Sequence, residues 1–280
     1  MKLLPFYIDG IIENALMEDI NYTDAATDYL LDDNMKSRAV LISKDEGVLC
    51  GLDFGLRVFE KLDAGVAVIK HKKDGDAISK GDLIAEISGG TPTLLKGERT
   101  ALNIIQLMSG IATKTSRLVK LVEGTNASVC DTRKTLPGLR ALEKYAVLMG
   151  GGRNHRFNLS DAAMLKDNHI DAYGGIIPAV SKLRERIGHM VKIEVETRSL
   201  DEVRQALQCG AEVIMLDNMS CAEMSEAVAI GRGRALFEAS GNITEENIRN
   251  VAETGVDIIS VGALTHTVKA FDISMRIAKD

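Results

Sequence analysis

Hydrophobic positions change their rhythm three times along the chain, and each rhythm predicts a different kind of element. Residues 1–30 interleave apolar residues with acids, which predicts helix. From about Ser37 to Ser88 the apolar residues come in short runs, AVLISKDEGVLCG and VAVIKHKKDGDAISKGDLIAEISG, broken by Asp-Gly and Lys-Gly turns; these predict strands. LLKGERTALNIIQLMSGIATKTSRLVKLV, from Leu94 to Val122, predicts one long helix that its Gly and Ser residues can bend. After Ala127, apolar runs alternate with amphipathic helical stretches: ASVCDTRKT, AMLKDNH, VKIEVE, EVIMLDN, RALFEAS and DIISVGA. These runs show little in–out alternation, as expected of parallel strands covered on both faces. The helices between them carry their own punctuation. Ser199 and Ser220 stand three residues before Glu202 and Glu223, a capping-box spacing, and Thr244 opens an acidic first turn. Gly210 and Gly255 stand where helices should stop.

Repeated βα units imply a (β/α) barrel or a doubly wound sheet, and the units are too few for a full eight-fold barrel. The expected class is therefore α/β, with a smaller or open barrel in the second part of the chain. The strand-rich segment also resembles lipoyl-type hairpins, with Lys72, Lys73 and Lys80 as candidate carrier lysines; a plain structural sheet is the simpler reading.

Composition narrows the function. With 280 residues, 45% hydrophobic and 26% charged, the chain can build a packed core. A net charge of −6 argues against a nucleic-acid binder, and no apolar run is long enough to cross a membrane. No signal peptide is read at the N-terminus, and the four cysteines are scattered without a CxxC, so a reducing, cytoplasmic setting is expected.

In βα proteins, ligands bind at the carboxyl ends of the strands. The predicted strands end in Asp131-Thr132-Arg133-Lys134, Lys166-Asp167-Asn168-His169, Glu196, Asp217, Ser240-Gly241 and Gly262. One mouth would hold cations on one arc, carboxylates on the next and glycine turns last. Ser240-Gly241-Asn242 and Val261-Gly262-Ala263 can aim main-chain N–H groups at a phosphate. Glu196 and Asp217 are hard oxygen ligands suited to Mg²⁺. GGGRNH, Gly150 to His155, reads as a flexible run leading into Arg156 and adding Arg153, His155 and Arg156 to the cations; arginine grips carboxylate or phosphate in a bidentate fashion. The chain has no Walker loop, HExxH, GxGxxG or Ser/His/Asp elbow. The pattern suits an enzyme acting on polyanions.

The blocks ERTALN from Glu98, SGIAT from Ser109, DTRKTLPGLRALEKYAV, GGGRNHRFNLSDAAMLKDNHI, IEVE, MLDNM, EASGNI and SVGALTH resemble, in order, the quinolinate phosphoribosyltransferase family. The resemblance implies an N-terminal α/β sandwich domain over 1–110, with a C-terminal helix packing back on it, and an open (β/α) barrel over 111–280. It also implies quinolinate and phosphoribosyl pyrophosphate as substrates, Mg²⁺ as cofactor, and a homodimer or multiple of dimers with shared active sites. It implies a cationic pocket of Arg133, Lys134, His155, Arg156 and Lys166 beside Thr132, with Arg99 supplied by the neighbouring subunit. It places Glu196 and Asp217 at the ribose and metal, and phosphate loops at Ser240, Gly241 and Asn242 and at Val261, Gly262 and Ala263. Lys134, Glu196 and Asp217 form the implied catalytic set. Asn158 and Asn242 stand where the family commonly has glycine; asparagine tolerates left-handed backbone. A molybdate-transport-associated branch of the same fold and a phosphate-binding barrel lyase remain alternatives, with RNHR and LKDNH favouring the biosynthetic branch.

Overall fold

The computed structural model describes residues 3–278; the ends of the expected segments at 1–2 and 279–280 lie outside them. Two compact units form. One comprises Arg117–Lys134 and Gly152–Ala263, and the remaining described residues form the other. The segment Thr135–Gly151 and the chain's last stretch return to the N-terminal unit.

That unit opens with helices α1 (Pro5–Ile20) and α2 (Thr27–Leu30). Strands β1 (Lys36–Ser43) and β2 (Gly47–Val48) follow, then helix α3 (Leu52–Leu62), then β3 (Ala67–Lys70), β4 (Ala77–Ile78) and β5 (Leu83–Gly90). Strand β1 pairs antiparallel with β5, which pairs with β3. The alternating residues Ala39, Leu41 and Ser43 of β1 are buried, as one covered face requires. Helix α3 was not expected inside the strand-rich stretch. Its Leu52, Leu56 and Phe59 are buried while Arg57 and Glu60 pair in solvent. The Asp-Gly turn caps it from a distance: Asp74 accepts the Gly51 and Leu52 amides at 3.0 and 2.9 Å. Burial pushes the Asp74 carboxyl up. A four-stranded antiparallel sheet thus stands in place of lipoyl hairpins, and Lys72 is paired with Asp82 at 2.9 Å.

The long helix α4 (Thr91–Leu121) runs 31 residues without interruption. Its Gly110 lies against the C-terminal segment, where an added Cβ would sit 2.3 Å from the Lys269 carbonyl oxygen.

The second unit contains six parallel strands: β6 (Ser128–Cys130), β7 (Ala163–Leu165), β8 (Ile193–Thr197), β9 (Val213–Asp217), β10 (Leu236–Ser240) and β11 (Ile258–Ser260). Each falls within an apolar run read from the sequence. Their order is β6-β11-β10-β9-β8-β7, with β6 and β7 at the two edges, so the barrel stays open. Helix α5 (Arg140–Met149) follows β6 in the chain; α6 (Asp167–Tyr173) and α7 (Ile176–Arg184) follow β7. Helices α8 (Leu200–Gln208), α9 (Cys221–Gly231) and α10 (Ile248–Glu253) connect the next strands, and the short α11 (Ala263–His266) follows β11.

Both serine caps form. Ser220 and Glu223 make the full reciprocal box, whereas Glu202 turns to the Arg198 amide and leaves Ser199 a one-sided cap. Gly210 and Gly255 end their helices at φ +71° and +93°. Helix α10 starts at Ile248 rather than Thr244, whose amide is taken by the Asn247 side chain. The expected C-terminal helix is instead strand β12 (Ile273–Ile277), paired antiparallel with β1. Ile273 and Met275 are buried at alternate positions, a strand period rather than a helical one.

Gly110→Ala tests the close approach on α4. In an open helix this change stabilises by up to ~1 kcal/mol. Here the new methyl meets a main-chain oxygen that cannot swing aside, so a loss of about 2–3 kcal/mol is expected in urea unfolding.

Candidate active site

Side chains alternate across a strand, so residues two apart share a face. On this sheet that rule gives two tiers. Glu196 on β8, Asp217 on β9, Ser240 on β10 and Ser260 on β11 lie at or near the strand ends; Glu194, Met215 and Glu238 lie one step below on the same face. A cavity of about 400 Å³ opens over them. Its lining brings together Thr132, Arg133, Lys134, His155, Arg156, Lys166, Glu196, Asp217 and Ser240 from the expected set, along with Met164, Met215, Glu238 and Ser260.

The loop carrying His155 and Arg156 is held by Asp131, a fully buried residue just past β6. One carboxylate oxygen accepts the His155 amide at 2.8 Å, and the other accepts the Asn154 side-chain amide at 2.6 Å. The main chain joins in: Arg153 donates to Val129 and receives from Asp131, extending the sheet past its β6 edge. The glycine run before it is fixed rather than flexible. Gly151 takes φ +87°, and a Cβ on Gly150 would lie 2.4 Å from the Ala112 carbonyl oxygen. Asn158, where a left-handed backbone would be tolerated, does not adopt one; its side-chain oxygen accepts the Ser160 amide in a tight turn.

His155 reaches down between the two lower-tier glutamates. Its Nε2 lies 3.1 Å from Glu194 Oε2 and 3.5 Å from Glu238 Oε2, and its Nδ1 accepts the Arg156 amide at 2.8 Å. Burial opposes a charge on the ring, but the hydrogen bonds to Glu194 and Glu238 outweigh it and push the pKa up to about 10. The Arg156 amide pulls the other way, because Nδ1 accepts an N–H only when it carries no proton. The directed 2.8 Å contact decides between them: the geometry is that of the neutral ring with its hydrogen on Nε2. Arg156 itself donates to the Ala162 carbonyl at 2.8 Å. Burial first, then the nearby Arg133, hold its guanidinium pKa below the usual value.

On the opposite arc, burial raises the Glu196 carboxyl; Lys166 opposes this, while Asp217 and Asp167 add to it. Lys166 Nζ stands 3.7 Å from Glu196 Oε2, a loose and half-exposed pair of small energetic weight. The turns after β9 and β10 lock together. Asn218 and Asn242 take φ +54° and +49° and join side chains at 3.0 Å. Gly241, at φ +94°, passes so close to Asn218 that a Cβ would lie 2.3 Å from its side-chain oxygen. Asn242 thus adopts the left-handed backbone expected of it.

Several expected residues stand apart from the cavity lining. Val261 donates its amide to the Cys130 carbonyl and its side chain is buried, so it holds the sheet and has no N–H for a phosphate. Gly262 follows in a turn, and Ala263 begins α11. Arg99 is exposed on α4, in the other compact unit. Sequence reading missed Glu194, Glu238, Asn154 and Asn218 as parts of the site. The glutamates did carry a signal: each is a carboxylate set inside an apolar run, in IEVE and LFEAS.

Asp131→Ala removes the acceptor shared by two part-buried donors. A loss of about 2–3 kcal/mol is expected in urea unfolding, with faster hydrogen exchange at the His155 amide. Asp131→Asn should recover most of it, since its carbonyl still accepts one donor and the Asn154 amide can turn over to accept from the other.

Comparison with known proteins fits this geometry. The family model described as quinolinate phosphoribosyl transferase, N-terminal domain, matches residues 24–109, and its C-terminal-domain counterpart matches 111–276. A Bacillus subtilis protein named probable nicotinate-nucleotide pyrophosphorylase (carboxylating) is 44% identical over 267 residues, 95% of this chain and 92% of its own. An Arabidopsis thaliana chloroplastic nicotinate-nucleotide pyrophosphorylase (carboxylating) is 40% identical, over 96% of this chain and 82% of its own. The crystal structure of NadC from Streptococcus pyogenes matches with a TM-score of 0.96 at 42% identity, over 100% of both chains. With both domain models matched in order along nearly its whole length, the chain belongs to the quinolinate phosphoribosyltransferase family.

Proposed function

We propose that this chain transfers the phosphoribosyl group of phosphoribosyl pyrophosphate to quinolinate, with decarboxylation, giving nicotinate mononucleotide, pyrophosphate and CO₂ for NAD biosynthesis. The observation that carries the reading is the division of one cavity into a cationic arc, with Arg133, Lys134, Arg156 and Lys166, and a carboxylate arc, with Glu196 and Asp217. The relatives' names support the same chemistry. The cationic arc suits an aromatic dicarboxylate. The carboxylate arc suits a sugar that becomes positive at C1 as pyrophosphate departs.

The pyridine nitrogen attacks C1, so no protein nucleophile is required. The chain's work is to hold two anions together in line. Lys134 offsets charge on the departing pyrophosphate. Glu196 and Asp217 orient the ribose hydroxyls, and the turns at Ser240, Gly241 and Asn242 and at Gly262 and Ala263 take the phosphate. Once the nitrogen is ribosylated its positive charge stabilises the electron pair left on the neighbouring ring carbon as the carboxylate there departs as CO₂, and water then protonates that carbon.

The donor chemistry of Glu196 and Asp217 fits Mg²⁺: two carboxylates with hard oxygens on adjacent strands, Asp217 raising the cost of charge on Glu196. Two carboxylates supply only part of a six-oxygen shell, so substrate and water complete it. Bound there, Mg²⁺ would neutralise pyrophosphate charge.

We also read the protein as a homodimer with shared sites. Arg99 is a cation outside the cavity lining, and Phe6, Tyr7, Met17, Tyr22, Tyr29 and Leu30 expose large apolar side chains on and between the first two helices. A second copy is the occupant we assign to that surface, in keeping with the shared site proposed for Arg99.

Quinolinate should be consumed with CO₂ release, and nicotinate should not. Without the carboxylate beside the nitrogen a buried cation is left unpaired, at a cost of roughly 2–5 kcal/mol. Comparable kcat/KM for the two acids would overturn the reading.

Mixing subunits tests the shared site. Arg99→Ala and Lys134→Ala should each be nearly inactive. If Arg99 acts on the partner's cavity, reassorted mixtures regain roughly a quarter of wild-type sites, because about half the dimers are mixed and each has one intact site. Folded, exchanged mixtures that stay inactive would show that Arg99 does not serve the partner's site.

A further inference from the structure

The lining of the barrel cavity is polar almost throughout. Among the described residues, only two of its side chains are apolar, Met164 on β7 and Met215 on β9. Met215 is 5% exposed and Met164 is half-buried. Neither can grip a carboxylate or compensate a charge, so the work of the two arcs leaves both unexplained.

Strand register sets both methionines among carboxylates. Met164 is the partner of Glu194 on β8, and Met215 stands between Glu196 on β8 and Glu238 on β10. The Met164 sulfur is also held in place, because Arg156 Nη2 donates to it at 3.5 Å. A thioether is a weak acceptor, so this contact orients more than it binds. It sets the apolar atoms of Met164 beside a cation of the arc that suits a dicarboxylate. An aromatic dicarboxylate presents two kinds of surface to such a cavity. Its carboxylates lie at the ring edge and call for cations. Its faces are apolar and electron-rich, so a carboxylate placed against them repels. A methionine offers those faces a neutral, polarisable surface, and sulfur–ring contacts are favourable.

We propose that Met164 and Met215 form the floor on which the pyridine ring lies, and that this floor selects an aromatic dicarboxylate over a non-aromatic one carrying the same two carboxylates. The inference rests on reading the cavity as a quinolinate site. The cations fix the edge of the ring and the methionines fix its plane. The nitrogen lone pair lies in that plane, so setting the plane directs the lone pair toward the ribose on the carboxylate arc.

Three ligands separate the ring from its carboxylates: quinolinate, benzene-1,2-dicarboxylate, and maleate, which carries two carboxylates on neighbouring sp² carbons and has no ring. Binding is measured by isothermal titration calorimetry on the full chain, with KM for phosphoribosyl pyrophosphate and Tm for each variant. The wild-type protein should bind both aromatic acids at least about tenfold more tightly than maleate. Met164→Thr suits a strand but withdraws the long apolar side chain. It should weaken both aromatic acids about tenfold and maleate less than about twofold. Met215→Thr should show the same split, and KM for phosphoribosyl pyrophosphate should change less than about threefold in either variant. If one variant does not fold, the other carries the comparison. Equal losses for all three ligands would mean that the methionines only support the cations, and the floor would be overturned. Folded variants with unchanged affinities would overturn it too, as would wild-type protein that binds maleate as tightly as benzene-1,2-dicarboxylate, a result that needs no variant. Wild-type protein that neither binds nor turns over quinolinate is a separate outcome, and it would overturn the proposed function itself.

Discussion

Asp131 carries more of this site than any other single residue. The carboxylate is fully buried at the end of an edge strand, where the sheet would otherwise stop. It accepts the His155 amide and the Asn154 side chain, and its own amide donates to Arg153. A three-residue strand thereby gains a neighbour, and the loop bearing two cations is tied down before its side chains are placed. Hydrogen bonds accepted by a buried charged group are stronger than neutral ones, and losing either partner strands the other. The glycines upstream belong to the same constraint. Gly150 lets α5 end tightly against the Ala112 carbonyl of α4, and Gly151 turns the chain with a positive φ.

The barrel interior follows a different economy from an ordinary core. Parallel strands are covered on both faces and usually carry apolar residues on each. Here the cavity-facing side becomes increasingly polar toward the carboxyl ends. Met215 gives way to Asp217, and Glu194 and Glu238 lie beneath Glu196 and Ser240. Repulsion and desolvation inside that tier are substantial, since burial raises the Glu194 carboxyl and Glu238 adds to it. Such a tier persists where position matters more than stability, and it is rigid because its members sit on strands and not on loops.

Legibility in the sequence followed the range of the interactions. All six parallel strands were readable, because a βα repeat places apolar runs at regular spacing and each run specifies its own strand. The caps at Ser199 and Ser220 are equally local, three residues from cap to partner. Helix α3 was hidden because its neighbours on both sides are strands and because its cap, Asp74, lies twenty-two residues away in a turn that reads as a hairpin tip. Strand β12 was hidden for a related reason: its partner β1 is at the other end of the chain, and five residues carry little periodicity. The upper tier of the site was visible as strand-terminal charges. The lower tier was visible only as two glutamates inside apolar runs, which reading for apolar content passes over.

The division of labour in the cavity follows from what the reaction asks of a protein. In the proposed chemistry the substrate supplies both nucleophile and electron sink, so the chain contributes orientation and charge compensation. Orientation is lost through small displacements, which penalises cations carried on slack loops. The structure meets this by anchoring each part of the mouth to a strand: Arg156 through Asp131 and the His155 ring, Gly241 through the Asn218 side chain, Lys166 through the residue that ends β7. Charge compensation tolerates more slack, and the half-exposed Lys166 head group, in a loose pair with Glu196, suits that part. Tight anchoring where direction matters and loose tethering where only charge matters is the arrangement expected of an enzyme that brings two anions together and leaves the bond-making to them.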